Sequence, residues 1–479
     1  MREGRRIADP TNAAPPAQPI LGWCRDRNAD QTFGFQGRLA GPSKSRAAPI
    51  ADAGEGHLMT IAPTGAGKGR SVIIPTLLSY RGPVIVIDPK GENYQVTARR
   101  RREMGQEVFL LDPFEVTGRD DHCLNALDMI DEDSTQAYDQ AMALAELLVP
   151  SHAMQDPFWE DSARSLVSAL LLHVAVDRPK SQANLMHVCE LLHRNMDEME
   201  HLFKAMQNST NMQVRRLAGG FTVTEPRVMA TILSVARTAM AVFNGECFAR
   251  MSHTTDIPLD GVVRGDPMSV YLVLPPDKLD SHGRLLRLWV GCLMERICRR
   301  RHRVPSATLF ILDEAAQLGT LQQLRRAITL LRGYGLRTWS FWQDLSQLKA
   351  LYPDWETLFN NTRYIQTFGA TTHLLARSIS DMLNLPAEID PLTLARDQLI
   401  LAEAGCEARV AGKPDYLSDS MFRGLYDDNP FYQPFRPKRL KHLATERRDA
   451  LLRRWDHVTE PEPEPDEGKP EPYYPWETW

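Results

Sequence analysis

Residues 62–69, Ala-Pro-Thr-Gly-Ala-Gly-Lys-Gly, constrain the fold more than any other part of the chain. They follow a short apolar run, HLMTI at 57–61, and lead into an apolar-periodic stretch that continues through Leu78. A glycine-rich turn between a buried strand and a helix is where a phosphate cradle sits, because backbone N–H groups and the positive helix end converge on one point. Gly65 and Gly67 permit close backbone approach, and Lys68 has the reach for β- and γ-phosphates. The expected binding segment is therefore Pro63, Thr64, Gly65, Ala66, Gly67, Lys68, Gly69 and Arg70. Two positions depart from G-x4-G-K-[ST]. Ala62 stands in place of the first glycine, and Gly69 in place of the hydroxyl residue that would ligate magnesium; Ser71, two residues on, faces differently on the helix. Taken alone, the segment also reads as a glycine-rich strand–helix turn with an incidental lysine.

A second motif supplies what Gly69 lacks. The apolar run at 308–312 ends in Asp313-Glu314. An acid at the carboxyl end of a strand can hold magnesium, and the next can act as general base on the attacking water. Parallel sheets gather ligands at the carboxyl ends of their strands, so both motifs are expected on one edge. Asp313 is thus the metal candidate and Glu314 the base, although an Asp-Glu pair also suits the start of a surface helix. Gln343 ends the next strand run and is a candidate sensor of the γ-phosphate. Arg332 and Arg337 bracket Gly333-Tyr334-Gly335, and each is a candidate arginine finger supplied in trans within a ring. Asp88, in VIVIDPKGE, ends the strand expected beside the phosphate-loop strand.

Around these motifs the chain reads as α/β. Strand, helix, strand, helix, strand with short connections, from 57 to 111, predict a mainly parallel sheet. From about 134 to 250 the apolar spacing changes to three and four, as in SARSLVSALLLHVAV and MATILSVARTAM, which predicts an all-helical insertion. Strand runs resume at 269–274, 308–312, 337–341 and 364–368, and 399–402 with 407–410 read as a hairpin. The expected organisation is an irregular segment over 1–50 and a discontinuous nucleotide-binding domain over 51–130 and 262–425. An all-α domain over 131–261 is set inside it, and a C-terminal helix (440–454) with a tail occupies 426–479.

Charge and composition narrow the function. Residues 457–479 carry seven acids against one base, so a tail of −6 accounts for more than the whole net charge of −5 and leaves the body near neutral. No global basic excess points to nucleic acid, and DNA contact would fall to local patches such as the arginine runs at 99–102 and 299–303. Both runs also suit helix C-termini, where cations offset the dipole. Seven scattered cysteines without a CxxC pair speak against structural zinc and disulfides. The longest apolar stretch, around 166–176, is too short to cross a bilayer, which predicts a cytoplasmic location without a transmembrane helix in the chain. Tyr473, Tyr474, Trp476 and Trp479, set among prolines and acids, suit a short motif that docks an adaptor.

Five segments resemble the VirD4/TraG-type coupling proteins of type IV secretion and conjugation: IAPTGAGKGRSVIIPTLL, VIVIDPKGE, VFLLDPF, LFILDEAAQLGTL and GYGLRTWSFWQDLSQL. The resemblance spans roughly 35–425. A glycine after the phosphate-loop lysine is typical of that family, and DPFWEDSARSLVSALLLH resembles the start of its all-α domain. The resemblance implies a RecA-like P-loop fold that hexamerises, binds ATP and Mg2+ between subunits, and passes a relaxase with single-stranded DNA, or effector proteins, to type IV secretion channel components. That family usually carries N-terminal membrane helices and none is read in this sequence, so the expectation is a soluble branch or an anchor supplied by a partner, with the chain peripheral at the inner membrane. Two other readings stay open: a non-hydrolysing substrate receptor with a degenerate phosphate loop, and a DNA pump of the FtsK/HerA kind unconnected with secretion.

Overall fold

The β-branched and apolar runs seen in the sequence become the centre of an eleven-stranded sheet. In chain order the strands are β1 (Ile20–Trp23), β2 (Pro49–Ala51), β3 (His57–Ile61), β4 (Val84–Ile87), β5 (Glu107–Leu111), β6 (Met268–Leu272), β7 (Thr308–Leu312), β8 (Leu336–Trp342), β9 (Thr362–Thr367), β10 (Gln398–Glu403) and β11 (Arg409–Gly412). The computed structural model describes residues 17–24, 48–52, 54–118, 121–149 and 157–432. Residues 429–479 form a separate unit. The helix expected over 440–454 and the aromatic tail lie outside the described residues.

The spatial order is β2-β1-β11-β10-β9-β3-β8-β7-β4-β6-β5. From β9 through to β5 every neighbouring pair is parallel, and β10, β11, β1 and β2 extend the sheet antiparallel. The parallel strands are buried on both faces, which is why they read as unbroken apolar runs rather than alternations. Their side chains still divide by parity. Ile85 and Ile87 join one core with Met59, Ile61 and Phe310, while Val84 and Val86 join another with Leu58, Leu77 and Phe341.

Between β5 and β6, which pair with each other, all described elements are helical, from Ala137–Leu148 to Leu259–Arg264. The long Pro157–Asp177 helix is its spine, with Leu166, Leu170 and Leu171 fully buried. These helices share one continuous core with a face of the sheet. Among the described residues, Pro226–Asn244 is the one helical stretch long and apolar enough for a membrane span. Its Ile232, Leu233, Ala236 and Met240 are buried in that same core.

Three expectations are corrected. Residues 1–50 are not irregular throughout: Ile20–Trp23 is a fully buried strand lying against β11. Four buried residues show no period, and Gly22 admits β11 closely, since a Cβ there would stand 3.1 Å from that of Ala411. Second, β4 does not lie beside the phosphate-loop strand. β8 and β7 intervene, so Asp88 ends next to β7. Third, the arginine runs are not whole surface patches: Arg101 and Arg300 are committed inside the fold, while Arg102, Arg301 and Arg303 stay exposed. Arg101 is fully buried and donates to the Leu77, Tyr80 and Gly82 carbonyls and to Ser269 Oγ. Arg300 likewise donates to the carbonyls of Val262, Val263, Tyr334 and Gly335. Arg99 pairs with Asp427 and Glu103. Each buried guanidinium has the five donors needed to satisfy several chain-end carbonyls at once.

Candidate active site

Strand register brings the motif residues to one edge. Ile61 lies opposite Trp342, Leu312 opposite Ser340, and Ile87 opposite Leu312. The residues that follow these ends, the loop from Ala62, Gln343, Asp313 and Asp88, therefore emerge side by side.

The loop has the backbone a phosphate cradle requires. Gly65 (φ 78°) and Gly67 (φ 91°) are left-handed, and a Cβ at Gly65 would meet nothing within 4 Å, so it is conformation that demands glycine there. Ala62 does not take a positive φ, and its N–H bonds the Trp342 carbonyl at 2.9 Å, so the missing first glycine disturbs nothing. After Lys68 the helix begins with a widened turn, Ile74 N–H reaching back five residues to Gly69 O. Pro75 is the physical reason: it has no N–H to continue the ladder, and its ring crowds the carbonyl four residues back. The segment then continues as Ile74–Ser79.

Lys68 is buried. Its Nζ lies 3.1 Å from Glu314 Oε1, and Gln343 Nε2 donates to Glu314 Oε2 at 3.0 Å. Three residues from three strand ends thus meet on one carboxylate. Glu314 itself holds a left-handed backbone, φ 57° and ψ 52°, costly for a non-glycine residue and found mostly where function over-determines the geometry.

Beside it, Asp313 Oδ1 is buried with no hydrogen-bond partner. Burial pushes the Asp313 carboxyl up to about 6; Lys68 opposes that rise, and Glu314 and Glu92 add to it. Asp88 is also buried. It accepts Tyr94 N–H at 2.8 Å, and burial raises it to about 7 despite that bond, with Glu92 and Asp313 adding to the rise. An orphaned buried carboxylate oxygen among like charges is a place where a divalent cation fits. Among the described residues no group of three or more ligating side chains exists.

Other candidates are placed differently. Arg70 turns its guanidinium onto Asp415, with two bonds of 2.7 Å, so only its backbone belongs to the loop. Arg337 is buried in an ion pair with Asp52 and donates to Gly56 O, which removes it as a finger for a neighbour. Arg332 is exposed in the turn before β8. Seven strand residues, roughly 20 Å, separate it from Gln343, so it does not reach the edge where Lys68 and Glu314 of its own chain meet.

Sequence reasoning missed the chain that follows β11. Lys413 is buried with its Nζ 3.5 Å from the Ala66 carbonyl and 4.0 Å from the centre of the Phe368 ring, and Asp415 meets Arg70. A lone lysine before a proline carries no signal that separates it from a surface lysine.

A family model described as type IV secretory system conjugative DNA transfer matches residues 26–383. The chain is 28% identical over 326 residues to protein VirD4 of Agrobacterium fabrum, covering 66% of this chain and 47% of that protein. It is 27% identical over 321 residues to the conjugal transfer protein TraG of Escherichia coli, covering 62% and 49%. The chain thus spans about half the length of the curated relatives it matches. In fold it is similar to the plasmid coupling protein TrwB solved with the ATP analogue ADPNP, with TM-score 0.63, 14% identity, and 88% of this chain and 98% of that one covered. It is similar also to TrwB solved with ADP and Mg2+, with TM-score 0.62, 16% identity, and 77% and 87% covered.

Proposed function

Because this chain belongs to the conjugative DNA transfer family of type IV secretory systems, we propose that it is an ATP-driven coupling protein that delivers a relaxase with single-stranded DNA, or effector proteins, to the secretion channel. The observation that carries the reading is the meeting of Lys68, Glu314 and Gln343 within 3.1 Å beside the partnerless Asp313 oxygen. That TrwB is solved with ADP and Mg2+ and with an ATP analogue supports the same ligand pair here.

In this proposal the loop N–H groups from Thr64 to Gly69 bind the phosphates, and Asp313 holds Mg2+ directly or through water. When bound, Mg2+ would supply positive charge that offsets the negative charge of the triphosphate. Lys68 exchanges Glu314 for the γ-phosphate. Glu314, released from the ammonium, accepts a proton from the attacking water, while Gln343 reports whether the γ-phosphate is present. The ion pair therefore keeps the base masked until nucleotide binds. Arg332 of an adjoining copy completes the site in a homo-hexamer.

Lys68→Ala is expected to abolish ATP turnover while the protein stays folded, measured by phosphate release and circular dichroism. Turnover at the wild-type rate in that variant would reject the site.

A further inference from the structure

Lys413 has a buried charge and no ion-pair partner among the described residues. The residue is 8% exposed. No carboxylate among the described residues pairs with it, and its one hydrogen bond, to the Ala66 carbonyl at 3.5 Å, is at the long limit of such bonds. The Phe368 ring beneath it offers a partial counter-charge through its π face. Burial lowers the ammonium to about 8, with Asp397 opposing the fall from a distance. An ammonium in this state costs stability unless an anion joins it.

The position is also fixed with care. Lys413 N–H donates to Asp397 O at 2.7 Å on the side of β11. Two residues on, Asp415 grips Arg70 in the first turn after the loop. Tyr416 is then buried with Ile74 and Leu78 of the same helix. The ammonium is thus held against the middle of the phosphate loop from outside the parallel strands, on the β9 side, opposite Lys68 and Glu314.

We propose that Lys413 is a second phosphate-binding cation of this site: its missing counter-ion is the polyphosphate of a nucleotide seated in the loop, for which it leaves the Ala66 carbonyl. This rests on the nucleotide reading above. Lys68 takes the end of the chain where bond cleavage occurs, and Lys413 the flank nearest Ala66. The C-terminal segment thereby contributes to nucleotide affinity as well as to packing.

The test compares wild type with Lys413→Met, using ADP with Mg2+ as ligand, calorimetry for affinity and thermal unfolding without ligand for stability. ADP binding by the wild type is established first, so that failure of the nucleotide reading shows there and not in the variant. Methionine keeps the stem and removes the charge. The expected result is ADP affinity weakened about 10- to 100-fold, with unfolding in the absence of ligand at the same or a higher temperature, and with Lys413→Arg recovering most of the affinity. Unchanged ADP affinity in Lys413→Met would overturn the proposal. So would weakened affinity accompanied by a lower unfolding temperature, which would make the residue a strut of the loop. Lys413→Gln, read by the same two measurements, stands in if the methionine variant does not fold.

Discussion

Glu314 concentrates the argument at the scale of single residues. Its left-handed backbone and its two partners, Lys68 and Gln343, make it the general base in the proposed reaction. Glu314→Gln is expected to retain ATP binding and to lose turnover by about 100-fold or more, measured as nucleotide affinity against phosphate release; wild-type turnover would remove Glu314 from the role. Asp88 gives a prediction in pH. Its folded pKa, about 7, lies above the unfolded value near 3.8, so ionising it costs the folded state. Its penalty is absent below about pH 4 and complete above about pH 7, so wild-type stability should fall across that interval. Asp88→Asn should remove that fall and be the more stable protein above pH 7, by up to about 4 kcal/mol, read from unfolding at pH 5 and pH 8. Equal pH dependence in the two proteins would show that Asp88 does not carry the buried charge. Lys68 stood out in the sequence through the glycine-rich turn after β3, and Asp313, Glu314 and Gln343 because they follow strand runs in a parallel pattern. Lys413 was not, because its contacts with Ala66 and Phe368 come from chain distant in sequence.

At the scale of elements, the strands were readable where they are buried on both faces, and β3, β4 and β7 have the bounds their apolar runs predict. β1 was not, since ILGW is only four residues and owes its place to β11. The order of strands was also hidden: local pattern places a strand but not its neighbour, so Asp88 was expected one position from the loop strand and lies three away. The arginine runs teach the same lesson. Composition cannot separate a cation that faces DNA from one that ties off carbonyls. Arg101 closes the end of the helix that the loop opens, and Arg101→Leu would strand the carbonyls of Leu77, Tyr80 and Gly82. The expected loss is roughly 3–5 kcal/mol, seen as a lower denaturant midpoint; a variant as stable as wild type would mean the carbonyls find other partners.

At the scale of the whole molecule, the exposed Arg332 lies some 20 Å along β8 from its own Gln343, and in the proposed hexamer it would serve the site of a neighbour. If neighbours complete each other, Arg332→Ala binds nucleotide but does not turn it over, and mixing it with Lys68→Ala restores part of the activity, because some subunits then pair an intact loop with an intact arginine. Two inactive variants that stay inactive on mixing would argue for a site complete within one chain. A body near neutral overall is compatible with DNA cargo in such a ring, since each weak patch recurs around the axis. The measurement that bears most directly on the account is phosphate release from ATP with Mg2+ and single-stranded DNA by wild type, Lys68→Ala and Glu314→Gln side by side. Turnover by wild type alone, with ATP still bound by Glu314→Gln, is the predicted result; a wild type that binds no nucleotide, or a Lys68→Ala protein that hydrolyses ATP as fast as wild type, would contradict it.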